Sequence, residues 1–171
     1  VVVAPDDGDF IVVAVDVLKG GNKLLRVFIS NDGGATFYDS GDLTDAATDT
    51  VFTTIVDKAV SKEVDGKRNV AICGNGTKGG APIALVYRLE CINGWSRDWE
   101  DARNPATFNG WDDGVDTNDD GIDDVWGFTS TFISTVRFAP SWAVDKTVLV
   151  TTHTTNATYL QSGIWGTKKG K

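Results

Sequence analysis

The sequence predicts an all-β protein, and three features of the chain point to this fold class. Val, Ile, Thr and aromatic residues fall in short runs, as they do in strands. The 19 glycines can supply turns between these runs. No long apolar pattern repeats every 3.6 residues, as amphipathic helices would require. With 171 residues and 41% hydrophobic content, the chain is long enough to bury a sizeable core.

The N-terminal part of the chain has the pattern of four strands joined by short turns. Residues 1–15 contain a strand, an acidic turn and a second strand. A glycine turn at residues 19–22 leads to an apolar run at residues 24–29, and residues 37–40 lie beyond the next turn. We therefore expect an antiparallel meander of four strands.

The turn after residue 29 has the pattern Ser-x-Asp-x-Gly-x-Thr-aromatic, formed by Ser30, Asp32, Gly34, Thr36 and Phe37. The short carboxylate of Asp32 can accept hydrogen bonds within the turn, and glycine permits a positive φ. This pattern resembles the Asp-box, or BNR repeat, of β-propellers such as sialidases, sortilin-type receptors and many prokaryotic surface proteins. The resemblance implies a structural turn that joins the outer two strands of a four-stranded blade. An ordinary hairpin turn in an unrelated β domain is the alternative.

Two later segments repeat this organisation. In the second, Ile92-Asn93-Gly94-Trp95 stands where the first has its box, and Ala139-Pro140 in the third matches Ala4-Pro5. We expect a partial β-propeller of about two and a half blades, with a β-sandwich as the alternative. A ring needs at least about four blades, so more chain or another subunit has to supply the rest. The expected units are a first repeat at 1–51, a second at 52–98, an inserted segment at 99–128 and an incomplete third repeat at 129–171.

The inserted segment carries the sharpest chemical signal of the chain. From Asp116 it has the pattern Asp-x-Asn-x-Asp-Gly-Ile-x-Asp, which resembles the first nine positions of EF-hand and dockerin calcium loops. Gly127 stands at position 12, where those families place an acid, so Asp112 or its neighbour Asp113 is the candidate for the missing ligand. The alternative is an acidic, solvated loop. The predicted calcium ligands are Asp112, Asp116, Asn118, Asp120, Asp124 and the carbonyl oxygen of Ile122.

The charge of the chain restricts its partners. A net charge of −8 and a pI near 4.5 exclude nucleic acid, because little positive charge is available to neutralise phosphates. No apolar run approaches the roughly 20 residues of a spanning helix, so we expect no membrane insertion. Cys73 and Cys91 are too few for a disulfide scaffold, and the sequence leaves open whether they form one bond or two buried thiols.

The sequence favours a non-catalytic role. The arginines lack the local motifs of the sialidase triad, and His153, the single histidine, lies on a Thr-rich strand without a nucleophile motif. We expect an extracellular or surface-layer structural protein that binds calcium and contacts other copies or cell-envelope components. The alternative is a sialidase-like glycan hydrolase or a carbohydrate-binding module. Two possible glycosylation sites, Asn75 and Asn156, are expected in exposed turns.

Overall fold

The computed structural model describes residues 1–19, 22–41, 43–45, 50–78, 80–92, 95–96, 100–101, 132–145, 147–153 and 162–167. Nearly all regular structure in these residues is strand, which confirms the all-β prediction. The elements are β1 (Val2–Ala4), β2 (Asp7–Lys19), β3 (Asn22–Ser30), β4 (Tyr38–Asp39), β5 (Thr44–Asp45), β6 (Thr50–Val60), β7 (Lys67–Lys78), β8 (Ala81–Ile92), β9 (Trp95–Ser96), β10 (Glu100–Asp101), β11 (Phe132–Phe138), the short helix α1 (Trp142–Asp145), β12 (Val148–His153) and β13 (Ser162–Thr167).

The strands form three antiparallel sheets, and each sheet is built from consecutive strands of the chain. The first sheet has the order β1-β2-β3-β4. The second has the order β10-β8-β7-β6-β5, with β9 also paired to β8. The third has the order β11-β12-β13. The second sheet thus begins with β5, and the repeat boundary expected after residue 51 falls within β6.

The second sheet lies between the other two and is buried on both faces. Because neighbouring residues of a strand point to opposite faces, Val70 and Ile72 of β7 join the core shared with the first sheet. Ala71 and Cys73 of the same strand join the core shared with the third sheet. The sheets therefore stack face to face in chain order.

One strand of each sheet contacts the corresponding strand of the neighbouring sheet. These strands, β1, β6 and β11, each pair with the strand that follows them in the chain. β1 contacts β6, and β6 contacts β11. Asp57 of β6 joins the second sheet to the third, since its Oδ2 accepts a hydrogen bond from the backbone N–H of Val136 at 3.1 Å and pairs with the guanidinium of Arg137. Asp57 thus links the second sheet to the third through one backbone N–H and one guanidinium.

The two cysteines are free thiols on opposite faces of the second sheet. The register of β7 and β8 places Cys73 opposite Val86 and Cys91 opposite Arg68, so the thiols cannot meet. Burial raises the pKa of both thiols to about 12. This resolves the question that the sequence left open in favour of two buried thiols.

The glycine-rich stretch at residues 74–80, whose composition predicts a turn, is mostly strand. β7 continues to Lys78, and β8 begins at Ala81. A Cβ on Gly74 would lie 1.8 Å from the carbonyl oxygen of Thr54, and one on Gly76 would lie 2.2 Å from that of Val51. These glycines therefore permit the close approach of β6, whose register shifts twice along β7.

Among the residues that the structure describes, no helix has the length and apolar character needed to cross a bilayer.

Candidate functional site

The predicted Asp-box is a turn closed by its own side chains, and it joins β3 to β4. Ser30 is fully buried at the end of β3. Its Oγ donates to Oδ1 of Asp32 at 2.7 Å and accepts from the backbone N–H of Gly34 at 2.9 Å. Ser30 itself pairs with Ile11 of β2, and its hydroxyl satisfies the backbone N–H of Gly34 within the turn.

Asp32 holds the second half of this turn. Its Oδ1 accepts from the backbone N–H of Thr36 at 2.9 Å, and its Oδ2 accepts from the Thr36 hydroxyl at 2.6 Å. These hydrogen bonds favour the charged carboxylate. The Thr36 hydroxyl, followed by the Thr36 N–H and the Ser30 hydroxyl, lowers the pKa of Asp32 to about 2.

The backbone of the box also contacts β2. The N–H of Gly33 donates to the carbonyl oxygen of Asp9 at 3.0 Å. Gly33 and Gly34 have φ values of 70° and 91°, which explains why glycine occupies both positions. The ring of Phe37 and the side chain of Ile11 lie on either side of Gly34, and Phe37 is 44% exposed. The predicted box residues are therefore together, and their polar groups stabilise the turn.

A buried arginine joins the first sheet to the second at the same edge of the molecule. Arg68 is 4% exposed, and its guanidinium lies 5.0 Å from the centre of the Phe10 ring. Its Nη1 pairs with Asp6 and donates to the carbonyl oxygen of Ser61 at 3.0 Å. Its Nη2 lies 3.6 Å from a carboxylate oxygen of Asp7. Arg68 thereby neutralises an acidic turn of the neighbouring sheet.

Asp6 completes this contact through the backbone of the second sheet. Its Oδ2 accepts from the N–H of Glu63 at 2.9 Å. Burial opposes ionisation of Asp6, but the Glu63 N–H and the Arg68 guanidinium together lower the pKa of this carboxyl group below its ordinary value. The Asp6 carboxylate therefore stays charged and holds the two sheets together across the pH range in which proteins ordinarily work.

A polar cavity of about 210 Å³ opens between the second and third sheets. Arg88, which is 6% exposed, donates from Nη1 to Oδ1 of Asn69 at 3.2 Å. Lys67 and Glu90 form a pair at 3.6 Å on the wall of this cavity. Trp142 also lines the cavity, but it is 3% exposed and packs edge-on against Phe138. Its ring is therefore engaged in the core rather than presented for stacking.

The described arginines act in separate places. Arg68 and Arg88 point to opposite faces of the second sheet, so they cannot share one carboxylate ligand. Arg26 lies 3.7 Å from Asp39 on the first sheet, and Arg137 pairs with Asp57. Comparison of the chain with family models, with curated proteins and with solved structures gave no match.

The predicted calcium ligands Asp112, Asp116, Asn118, Asp120, Ile122 and Asp124 lie outside the described residues. In the residues that are described, no three His, Cys, Asp or Glu side chains form a group that could hold a metal ion. β10 runs from Glu100 opposite Arg88 to Asp101 opposite Tyr87, and β11 begins with Phe132 opposite His153.

One of the two possible glycosylation sites does not lie in the exposed turn that was expected. Asn75 lies inside β7, between Thr54 of β6 and Ala84 of β8, instead of in an exposed turn. It is partly buried, and its Oδ1 is shielded from solvent. Asn156 lies outside the described residues.

The contacts between the sheets were missed by reasoning from the sequence. Arg88 stands within β8, which is otherwise largely apolar. A buried cation requires polar partners, so an arginine in an apolar strand was the available signal for Arg88. Arg68 lies between Lys67 and Asn69 at the polar start of β7, and its partner Asp6 lies 62 residues away along the chain, so the sequence carried no signal for this contact.

Proposed function

We propose that the chain is a non-catalytic, extracellular structural and interaction protein with the organisation of a β-propeller and a calcium site in its insertion. The observation that carries this proposal is the stacking of three antiparallel meanders in chain order. The first of them bears the Asp-box between its last two strands. A two-sheet sandwich does not account for a middle sheet that is buried on both faces.

The register of the strands supports a repeated unit. In each sheet, one antiparallel hairpin is compared at the regular residue pair next to its turn. The cross-strand partners there are Val3 and Ile11 in β1–β2, Val60 and Val70 in β6–β7, and Phe138 and Val148 in β11–β12. In the second and third sheets these pairs face the preceding sheet. Each sheet therefore presents the same face to its predecessor, as propeller blades do.

The use of the charged side chains supports a structural role. Asp32 closes the box, Arg68 and Asp6 join the first two sheets, and Asp57 and Arg137 join the last two. Each of these groups is engaged by a neighbour within the fold. Such groups stabilise a scaffold, and partners then bind to the outside of it.

Calcium and an extracellular location belong together in this proposal. Carboxylates crowded into a few residues, as around Asp116, repel one another until a hard dication compensates them. A loop that lacks the bidentate acid at position 12 suits the millimolar calcium found outside cells. The ion would stabilise the insertion, and the partners would be other copies of the chain or components of the cell envelope.

Calcium titration of the whole chain tests this proposal. We expect one calcium ion per chain with a dissociation constant on the order of 10⁻⁴ to 10⁻³ M, measured by calorimetry. Combined replacement of Asp116, Asn118 and Asp120 by Ala should abolish this binding. Asp16→Ala, which removes an exposed acid of β2, serves as the control and should leave it unchanged.

Two results would contradict the proposal. A calorimetric titration without heat, together with tryptophan fluorescence that a chelator does not alter, would remove the calcium site. Turnover of a fluorogenic sialoside by the purified chain would support the sialidase-like alternative and overturn the non-catalytic role.

A further inference from the structure

The first sheet carries an apolar face that points away from the rest of the stack. We call this the outer face of the first sheet and define it by Val3, Ile11, Val13, Val15 and Phe28. Val3 is 46% exposed, and the other four are half-buried. Five large apolar residues on one face of a sheet normally pack against another layer.

The equivalent residues of the other two sheets are covered. Val60, Val70 and Ile72 of the second sheet correspond to Val3, Ile11 and Val13 in register, and they are 7%, 0% and 0% exposed. In the third sheet the corresponding residues are Phe138, Val148 and Val150, which pack in the core beneath the second sheet. At each covered position the residue is large and apolar, as it is on the outer face of the first sheet.

The other end of the stack presents the complementary face. We define the outer face of the third sheet by Thr135, Leu149 and Thr151; Arg137 shares this face in register, but its guanidinium is paired with Asp57 of β6. Leu149 is 37% exposed, whereas its equivalents Val12 and Ala71 are 0% and 1% exposed because the following sheet covers them. By strand register, the two end faces are therefore equivalent to the two faces that meet between consecutive sheets within the chain.

We propose that the outer face of the first sheet packs against the outer face of the third sheet of a second copy of this chain. The contact continues the head-to-tail packing seen between consecutive sheets, and such heterologous contacts close into a ring when the rotation allows it. Propellers have roughly four to eight blades, so two copies with three sheets each give a ring of six sheets. This inference rests on the proposed propeller-type organisation, and it specifies that the binding partner is a second copy of the chain.

Mass measurement of the whole chain tests the inference. Sedimentation equilibrium should give about twice the 18.3 kDa of one chain. Val13→Lys places a charge on the first outer face and Leu149→Lys places one on the other, so each variant alone should be monomeric. A mixture of the two variants should recover a dimer. In the mixed dimer, one of the two interfaces joins an unsubstituted first sheet to an unsubstituted third sheet. Val144→Lys, at an 88% exposed site on α1, is the control and should remain dimeric.

Other results would overturn the inference. A dimer that Val13→Lys disrupts and Leu149→Lys does not would indicate pairing of two first sheets. A wild-type chain that stays monomeric at every concentration would mean that a second copy does not cover this face. Circular dichroism should show that each variant is folded. Calcium titration of the same samples keeps the two proposals separate, since a monomer can still bind calcium.

Discussion

At the scale of single residues, the predicted Asp-box shows how a few side chains can satisfy the backbone N–H groups of a turn. Ser30 and Asp32 together accept or donate hydrogen bonds at Gly34 and Thr36. All of these contacts span two to four residues of the chain, so the spacing of the residue types was enough to predict the turn and the role of Asp32 as acceptor, although not the hydrogen bonds of Ser30. Calcium ligands at similarly short spacing were predicted in the same way, but the stretch that contains them lies outside the described residues.

Replacing Asp32 by Asn should lower the melting temperature at neutral pH, because the charged acceptor for the Thr36 hydroxyl and N–H is lost. The pKa of Asp32 falls from 3.8 to about 2 in the folded protein. The wild-type advantage should therefore be fully present above pH 3.8 and disappear as the pH falls toward 2. Thermal melts of both proteins across this range measure the difference.

Asn31→Ala, at the exposed neighbouring position of the same turn, is the control for this experiment. It should leave the melting temperature and its pH dependence close to those of the wild type. An Asp32→Asn protein with the same pH profile as the wild type would show that the carboxylate does not stabilise the turn.

At the scale of elements, the central hairpin of the second sheet depends on two glycines that do not form a turn. β6 shifts register between Phe52 and Thr54 and again between Ile55 and Asp57. These irregularities bring its backbone against Gly74 and Gly76 of β7. Glycines near a strand end predict a turn by sequence rules, and here the bulges of the partner strand decided otherwise.

Gly74→Ala should destabilise the protein by about 3 kcal/mol or more, because the new Cβ would meet a backbone carbonyl and not a movable side chain. Gly8→Ala is the matched control, since nothing lies within 4 Å of its Cβ position. It should change stability by less than about 0.5 kcal/mol. Urea denaturation of the two variants measures both values, and equal midpoints would contradict the close approach of β6.

At the scale of the whole molecule, the three sheets of the described residues are held in a stack by two apolar cores and by charged contacts between neighbouring sheets. The second sheet has no solvated face, so its strands β7 and β8 are buried along most of their length. Arg68 joins it to the first sheet, and Asp57 joins it to the third. Among the described residues, no further sheet covers the outer faces of the first and third sheets, and the proposed pairing of copies rests on these two faces.

Arg68→Ala should destabilise the protein by about 2–3 kcal/mol, because it removes the cation between Asp6 and Asp7 and the packing on Phe10. This range allows for the partial solvation of Asp6. Arg26→Ala removes a surface pair with Asp39 and should cost less than about 1 kcal/mol. Chemical denaturation compares the two, and equal losses would show that Arg68 does not join the sheets.

The sequence by itself determined the fold class, the strands of the first meander and the turn in which Asp32 accepts hydrogen bonds. These features depend on residue types at short spacing, which a linear pattern contains. Only the tertiary structure decided that Cys73 and Cys91 lie on opposite faces, that Arg68 is buried against the first sheet and that the middle sheet has two covered faces. The physical reason is that the decisive contacts join residues 57 to 80 positions apart. Which strands meet over such separations depends on the packing of whole sheets.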